Sequence, residues 1–182
     1  MRELSLNVMD VAQNSVRAEA SVVTVKVEES DREDRLTIVI SDDGCGMTEE
    51  QVQQVIDPFF TTRTTRKVGL GVPLFKLSAE QTGGSFDIQS EKGKGTVTTA
   101  SYVKSHVDMT PLGDINSTIR ILIQCNPGID FVFIHSTDSG SFTLDTRELR
   151  EVLGDVSLDT PDVLEWISDY LEENTQSING GA

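Results

Sequence analysis

Four short runs in this chain have side-chain types and spacings suited to handling a phosphorylated ligand. Asp10 and Asn14 stand four residues apart, so on a helix they project to one side about a turn from each other, with Arg17 one turn further on. An amide oxygen such as that of Asn14 is a hard ligand suited to Mg²⁺, which keeps waters and takes phosphate oxygens as its other ligands. The carboxylate of Asp10 can orient or deprotonate an incoming nucleophile. The same residues also serve as an ordinary polar pair on a helix surface. In Asp42-Asp43-Gly44-Cys45-Gly46-Met47 the glycines permit a close backbone approach that a Cβ would block, and an ionised Asp beside a flat heterocycle can accept from an exocyclic amine, as in adenine. Asp-Asp-Gly is also common turn chemistry.

The third run, Pro58 to Ala79, contains no acid, yet it holds Arg63, Arg66, Lys67 and Lys76 and places Gly69-Leu70-Gly71 at a helix start. Helix N-terminal amides with cations alongside suit a polyphosphate, although a flexible basic loop has the same composition. The fourth is Gly93-Lys94-Gly95-Thr96, either a plain hairpin turn or a turn whose Thr96 hydroxyl touches a phosphate.

These runs need elements to hold them. Leu4, Val8, Val11, Ala12 and Ser15 share one arc of a helix over Glu3–Ala20, beside a stripe of Asn7, Asp10, Asn14 and Arg17. Asn and Asp are poor helix formers, so the stripe costs stability and asks for another reason. Ser21–Glu28 and Leu36–Ser41 alternate as an antiparallel hairpin, and Thr48 caps a helix to about Ile56. A helix over Val72–Gln81 tolerates Pro73 in its first turn, and strands Ser85–Ser90 and Thr96–Val103 follow. Beyond Ser105 the pattern predicts a helix over Met109–Gln124, a hairpin of Ile129–Ser136 with Gly140–Leu144, and helices over Thr146–Leu153 and Pro161–Glu173. A frayed tail is expected from Asn174. The expected division is 1–104, an acidic extension over 105–173, and the tail 174–182.

The chain has 182 residues with a formal net charge of −15, which argues against adhesion to nucleic acid or anionic lipid while leaving room for a local basic pocket. Between Asp138 and Glu173 eleven acids face two arginines, so this segment carries most of the imbalance. No run approaches the roughly twenty apolar residues of a membrane span, and the first residues lack a signal-peptide pattern. With two cysteines and two histidines, neither a disulfide framework nor a zinc site is expected, and the cytoplasm is the default location.

In order and spacing, the chain from about Leu4 to Tyr102 resembles the GHKL (Bergerat-fold) ATPases, the superfamily of gyrase, the ninety-kilodalton heat-shock chaperone, histidine kinases and MutL. Asp10, Asn14 and Arg17 look like its asparagine box, and Asp42, Gly44 and Gly46 like its adenine box. Phe59-Phe60-Thr61-Thr62-Arg63 is similar to the phenylalanine box of kinases. Gly69-Leu70-Gly71 matches the following glycine box, and Thr82-Gly83-Gly84 through Gly95-Thr96 the closing region. The resemblance implies an α+β fold, a two-layer α/β sandwich with helices on one face of a mixed sheet, and ATP with Mg²⁺ as ligands. By the same resemblance Asn14 would hold Mg²⁺, Asp42 would read adenine, and Gly46 would form part of its floor, with Gly44 and Met47 of the same motif also at the nucleotide. Arg17, Arg63 and the amides of Gly69 and Gly71 would hold phosphates, with Leu70 and Thr96 also at the nucleotide. The lid would lie near Thr64–Val68, where Lys67 replaces a common glycine and would either stiffen the lid or pair with phosphate directly.

Kinases of this family usually have a strand pair before the asparagine-box helix. The hairpin Ile129–Leu144 is expected to supply it here from the other end, as a C-terminal hairpin-and-helix extension on the same sheet. With no phosphorylatable-histidine helix pair in view, the chain more nearly resembles stand-alone members such as the anti-sigma serine kinases. It also looks like the small ATP-binding proteins that accompany iron-only hydrogenases. Asp10 leans toward a hydroxyl or water acceptor, because a neutral imidazole already has a free lone pair. The expectation is therefore a kinase or ATPase acting on a separate partner or on water. The alternative is an ATP-dependent switch that grips a partner without phosphorylating it, and either reading allows a homodimer. Leu164, Trp166, Ile167 and Leu171, at helical spacing, are expected in the core.

Overall fold

The computed structural model of the protein describes residues 3–59 and 70–180. Alternation sets the sheet. Val23, Val25 and Val27 on β1 (Val22–Ser30) and Leu36, Ile38 and Ile40 on β2 (Arg35–Asp42) point to one face and are at most 2 % exposed. Antiparallel pairing places Val25 opposite Ile40 and Val27 opposite Ile38, so both apolar sets fall on the same side. Beyond the helices α2 (Glu49–Ile56) and α3 (Gly71–Gln81), β3 (Ser85–Glu91) and β4 (Gly95–Val103) extend the sheet, β4 pairing with β2.

On the other side β5 (Asp130–Thr137) pairs in parallel with β1, Phe133 lying opposite Val25, and β6 (Gly140–Asp145) closes the edge. The order is β3-β4-β2-β1-β5-β6, a mixed six-stranded sheet. The late hairpin is thus part of the same sheet as the early strands, as expected. Residues of α1 (Leu4–Arg17), α3, α4 (Ile115–Cys125) and α6 (Pro161–Ile178) join the inner sheet residues in one apolar cluster, giving a two-layer α+β fold. Full burial of Leu4, Val8 and Val11 on α1 contributes about 1.5–3 kcal/mol each, which offsets the poor helix formers of its polar stripe. Leu164, Ile167 and Leu171 are core residues, but Trp166 is 48 % exposed, which corrects its assignment to the core.

Two boundaries also differ from expectation. Residues 109–114 are not helical, and α4 starts at Ile115 with Asp114 as its cap, accepting from the Ser117 amide at 3.0 Å. The carbonyls of Pro111 and Leu112 instead accept from the Leu4 and Ser5 amides, both at 2.9 Å, and so satisfy the first turn of α1, which lacks a side-chain cap. The frayed tail is corrected as well. Helix α6 continues to Ile178, whose side chain is 4 % exposed and whose carbonyl accepts from the Thr137 hydroxyl, while Asn116 donates to the Thr175 hydroxyl at 3.0 Å. The helix α5 (Thr146–Leu153) lies between β6 and α6 in sequence. Among the described residues no helix is long and apolar enough to cross a membrane.

Candidate functional site

A cavity of about 380 Å³ opens between α1, the end of β2, α2 and the β3–β4 hairpin. Val11, Ile40, Val55, Val72 and Ile88 give it apolar walls, and among the described residues Asp42 is the one carboxylate lining it. Asp42 is held on both oxygens. Ser15 donates its hydroxyl to Oδ2 at 2.6 Å, and the Gly44 amide donates to Oδ1 at 2.8 Å. Ser15 is itself 3 % exposed, so the clamp is rooted in the core face of α1. Each carboxylate oxygen keeps a further lone pair, which leaves a fixed acceptor against flat apolar walls.

The loop after β2 reaches this position by backbone packing. The Cys45 amide donates to the Ala18 carbonyl at 2.9 Å, and the Gly93 amide to the Cys45 carbonyl at 2.6 Å. Gly46 has φ +69°, and a Cβ there would stand 2.0 Å from the Glu91 carbonyl oxygen. Met47 is anchored through its amide to the Ser90 hydroxyl at 2.8 Å, and that hydroxyl also meets Thr96 Oγ1 at 2.8 Å. The two aspartates of the motif divide the work. Asp43 turns away and accepts from the Val22 and Ser21 amides at 3.0 and 2.7 Å, capping the start of β1. Those amides hold its carboxyl below the usual carboxylate range against a smaller opposing effect of burial.

At the rim, Asn14 Oδ1 accepts from Arg17 Nη1 at 3.1 Å, and both residues line the cavity. Asp10 is exposed and is not among the lining residues. Its Cβ lies against the start of α3, where a Cβ on Gly71 would be 3.0 Å away. Partial burial pushes the Asp10 carboxyl above its ordinary value, with the Arg17 charge opposing. Asn7, of the same stripe, is fully buried instead.

The structure therefore brings Asn14, Arg17, Asp42, Gly46, Met47 and Thr96 to one cavity. Gly44 sits behind the loop against Ala18, Gly71 faces Asp10, and Leu70, 46 % exposed, precedes α3 as its N-cap. Arg63, Lys67 and Gly69 lie outside the described residues. Sequence reading missed Ser15 and Lys92 as cavity residues. The signal for Ser15 was a hydroxyl in an otherwise apolar arc of α1. The donors fit an adenine nucleotide with a hard cation: a clamped carboxylate between apolar walls for the base, and an accessible amide oxygen with an arginine beside it for the metal and phosphates.

Residues 2–106 match the family model described as histidine kinase-, DNA gyrase B-, and HSP90-like ATPase. The chain belongs to this family. Among curated proteins the chain is 34% identical to the sensor histidine kinase ZraS of Klebsiella oxytoca over 99 residues, 54% of this chain and 21% of that protein. It is 37% identical to the sensor protein SrrB of Staphylococcus aureus (strain N315) over 101 residues, 53% of this chain and 17% of that protein. The chain thus spans about a fifth of the length of these relatives. Among solved structures, the Aquifex aeolicus MutL ATPase domain complexed with ADP superposes with a TM-score of 0.51 at 14% identity, covering 84% of this chain and 69% of that one. The N-terminal domain of a DNA repair protein gives 0.53 at 13% identity, covering 80% and 52%. At such identity these two speak for the fold alone. In this GHKL chain the family match ends at residue 106, so β5, β6 and α4 to α6 lie beyond it.

Proposed function

We propose that this GHKL domain binds Mg²⁺–ATP in the cavity beside α1 and acts as a protein kinase or ATPase in the cytoplasm, passing the γ-phosphate to a separate partner protein or to water. The observation that carries this is the Asp42 carboxylate, clamped by Ser15 and Gly44 between apolar walls with Asn14 and Arg17 at the rim. Asp42 accepts from the exocyclic amine of adenine, and Gly46 and Met47 form the adjoining floor. Asn14 offers its amide oxygen to Mg²⁺, which when bound neutralises charge on the phosphate oxygens. Arg17, the Thr96 hydroxyl, Arg63, Lys67 and the amides of Gly69, Leu70 and Gly71 hold phosphates.

Asp10 orients the acceptor hydroxyl and takes its proton as the oxygen joins the γ-phosphorus and ADP departs. Its raised pKa makes it a better proton acceptor than a freely solvated Asp. Incubation with γ-labelled ATP and Mg²⁺ tests this: Asp10→Asn should keep nucleotide affinity and lose turnover by roughly 10²–10⁴-fold. Equal turnover in wild type and variant would remove Asp10 from the chemistry.

A second reading, an ATP-dependent switch that grips a partner without phosphotransfer, is favoured by one observation: Asp10 is not among the residues lining the cavity. Tight ATP binding with no labelled product in the presence of the partner would select it.

A further inference from the structure

A further cavity among the described residues lies apart from the nucleotide site. It is a groove of about 540 Å³ floored by the end of β6 and walled by α5 and α6. Leu149, Val152 and Leu153 line one side, and Val163, Trp166 and Tyr170 the other. Val152 is 85 % exposed and Trp166 48 %, and the Trp166 ring stacks on Tyr170 at 5.1 Å between centroids. Side chains this apolar left open to water in a chain rich in charge mark a surface meant to be covered.

Charge decides what covers it. Asp145, Glu148 and Asp162 line the groove. The two arginines of this segment are already engaged, Arg147 with Asp145 at 2.8 Å and Arg150 with Asp130 at 2.6 Å. Glu148, Glu151, Asp162, Glu165 and Asp169 therefore leave the groove in a negative field. A second copy of this chain, also at −15, is repelled, and so is an anionic membrane. A segment with apolar anchors and flanking lysines or arginines is attracted.

Its backbone form follows from β6. This is the edge strand, yet the Thr143 carbonyl already accepts from the Tyr170 hydroxyl at 2.8 Å, which obstructs addition of another strand. Two helical walls about an apolar floor suit a helix laid between them. We propose that the groove between α5 and α6 is a docking site for a cationic amphipathic helix of a partner protein. This docking needs no nucleotide and stands independently of the ATP site, since β1 and β5 lie between β2 at that site and β6 at the groove.

Trp166 is the chain's single tryptophan and reports directly on the groove. The full chain is titrated with a roughly fourteen-residue Leu/Lys amphipathic peptide, about four helical turns long, while Trp166 emission is followed. Controls are a scrambled peptide of the same composition, a Leu/Glu counterpart, and neutral phosphatidylcholine vesicles. The expected result is a saturable blue shift with the Leu/Lys helix, weakened by salt, and at least about tenfold weaker binding of both control peptides. Val152→Lys, at an exposed helix position, should weaken it by a similar factor, and Glu148→Gln by less. Equal binding of the scrambled or acidic peptide would overturn the proposal. So would peptide binding that leaves Trp166 emission unchanged, or undiminished binding by Val152→Lys. A blue shift produced by the vesicles, or by self-association of the chain in sedimentation, would also overturn it by naming a different occupant.

Discussion

A carboxylate that reads one edge of a purine must be held still, and two donors hold Asp42. Ser15→Ala removes the one from α1, a hydrogen bond to a charged group worth about 1.5–3 kcal/mol when well placed. The variant should fold, because a small residue stays in the apolar arc, and it should bind ATP about tenfold or more weakly, measurable by calorimetry. GTP should bind poorly to the wild type, since the guanine oxygen would face the same carboxylate. Asp43 is the contrasting case. Its lowered pKa means that its contribution to stability is present above the ordinary carboxylate range and is lost as pH falls through the lowered value. Asp43→Asn should cost about 0.5–1 kcal/mol near neutral pH, a figure reduced by its exposure, with the difference from wild type vanishing in acid. Chemical denaturation at several pH values checks this. Asp10, with its pKa raised, has the opposite sign: its charge opposes folding at neutral pH, and protonation relieves that.

At the scale of elements, the glycine loop is positioned by contacts that allow no side chain. Gly46→Ala would drive a Cβ to 2.0 Å from a carbonyl oxygen at positive φ, so the loop must move. Loss of nucleotide binding is expected together with a lowered melting temperature. A second prediction concerns α6: Ile178→Ala, at the end expected to fray, should destabilise by about 2–4 kcal/mol because its side chain is buried in the common core. An unchanged denaturation midpoint would show that the last turn does not pack. Helices and strands with clear periodicity were legible in the sequence, as was the Thr48 cap, which forms a full capping box with Gln51. Residues 109–114 were not. Their conformation is set by the amides of α1, more than a hundred residues away, and no local pattern reports such a partner. The last turn of α6 was hidden for a similar reason, since Ile178 is a single apolar residue in a polar stretch, and its partners, Thr137 to its carbonyl and Gly140 beside its side chain, lie far away in sequence.

For the whole molecule, the strand order was the least local feature. The parallel pairing of β1 with β5 joins segments about a hundred residues apart, and the hairpin was assigned to the sheet only through the family resemblance. Two of the cavities among the described residues have opposite character. One has a fixed carboxylate, an amide and an arginine, and was legible as motifs. The other is an apolar groove with an acidic rim, and was invisible because Trp166 shares the helical period of core residues. The central claim, that α1 and the loop after β2 form one adenine-nucleotide site, is tested most directly by titrating Mg²⁺–ATP into the wild type and Asp42→Asn in a calorimeter. Saturable binding is expected for the wild type, with a loss of roughly tenfold to hundredfold in a variant that remains folded. Absence of binding heat in the wild type, or the same affinity in both, would contradict it.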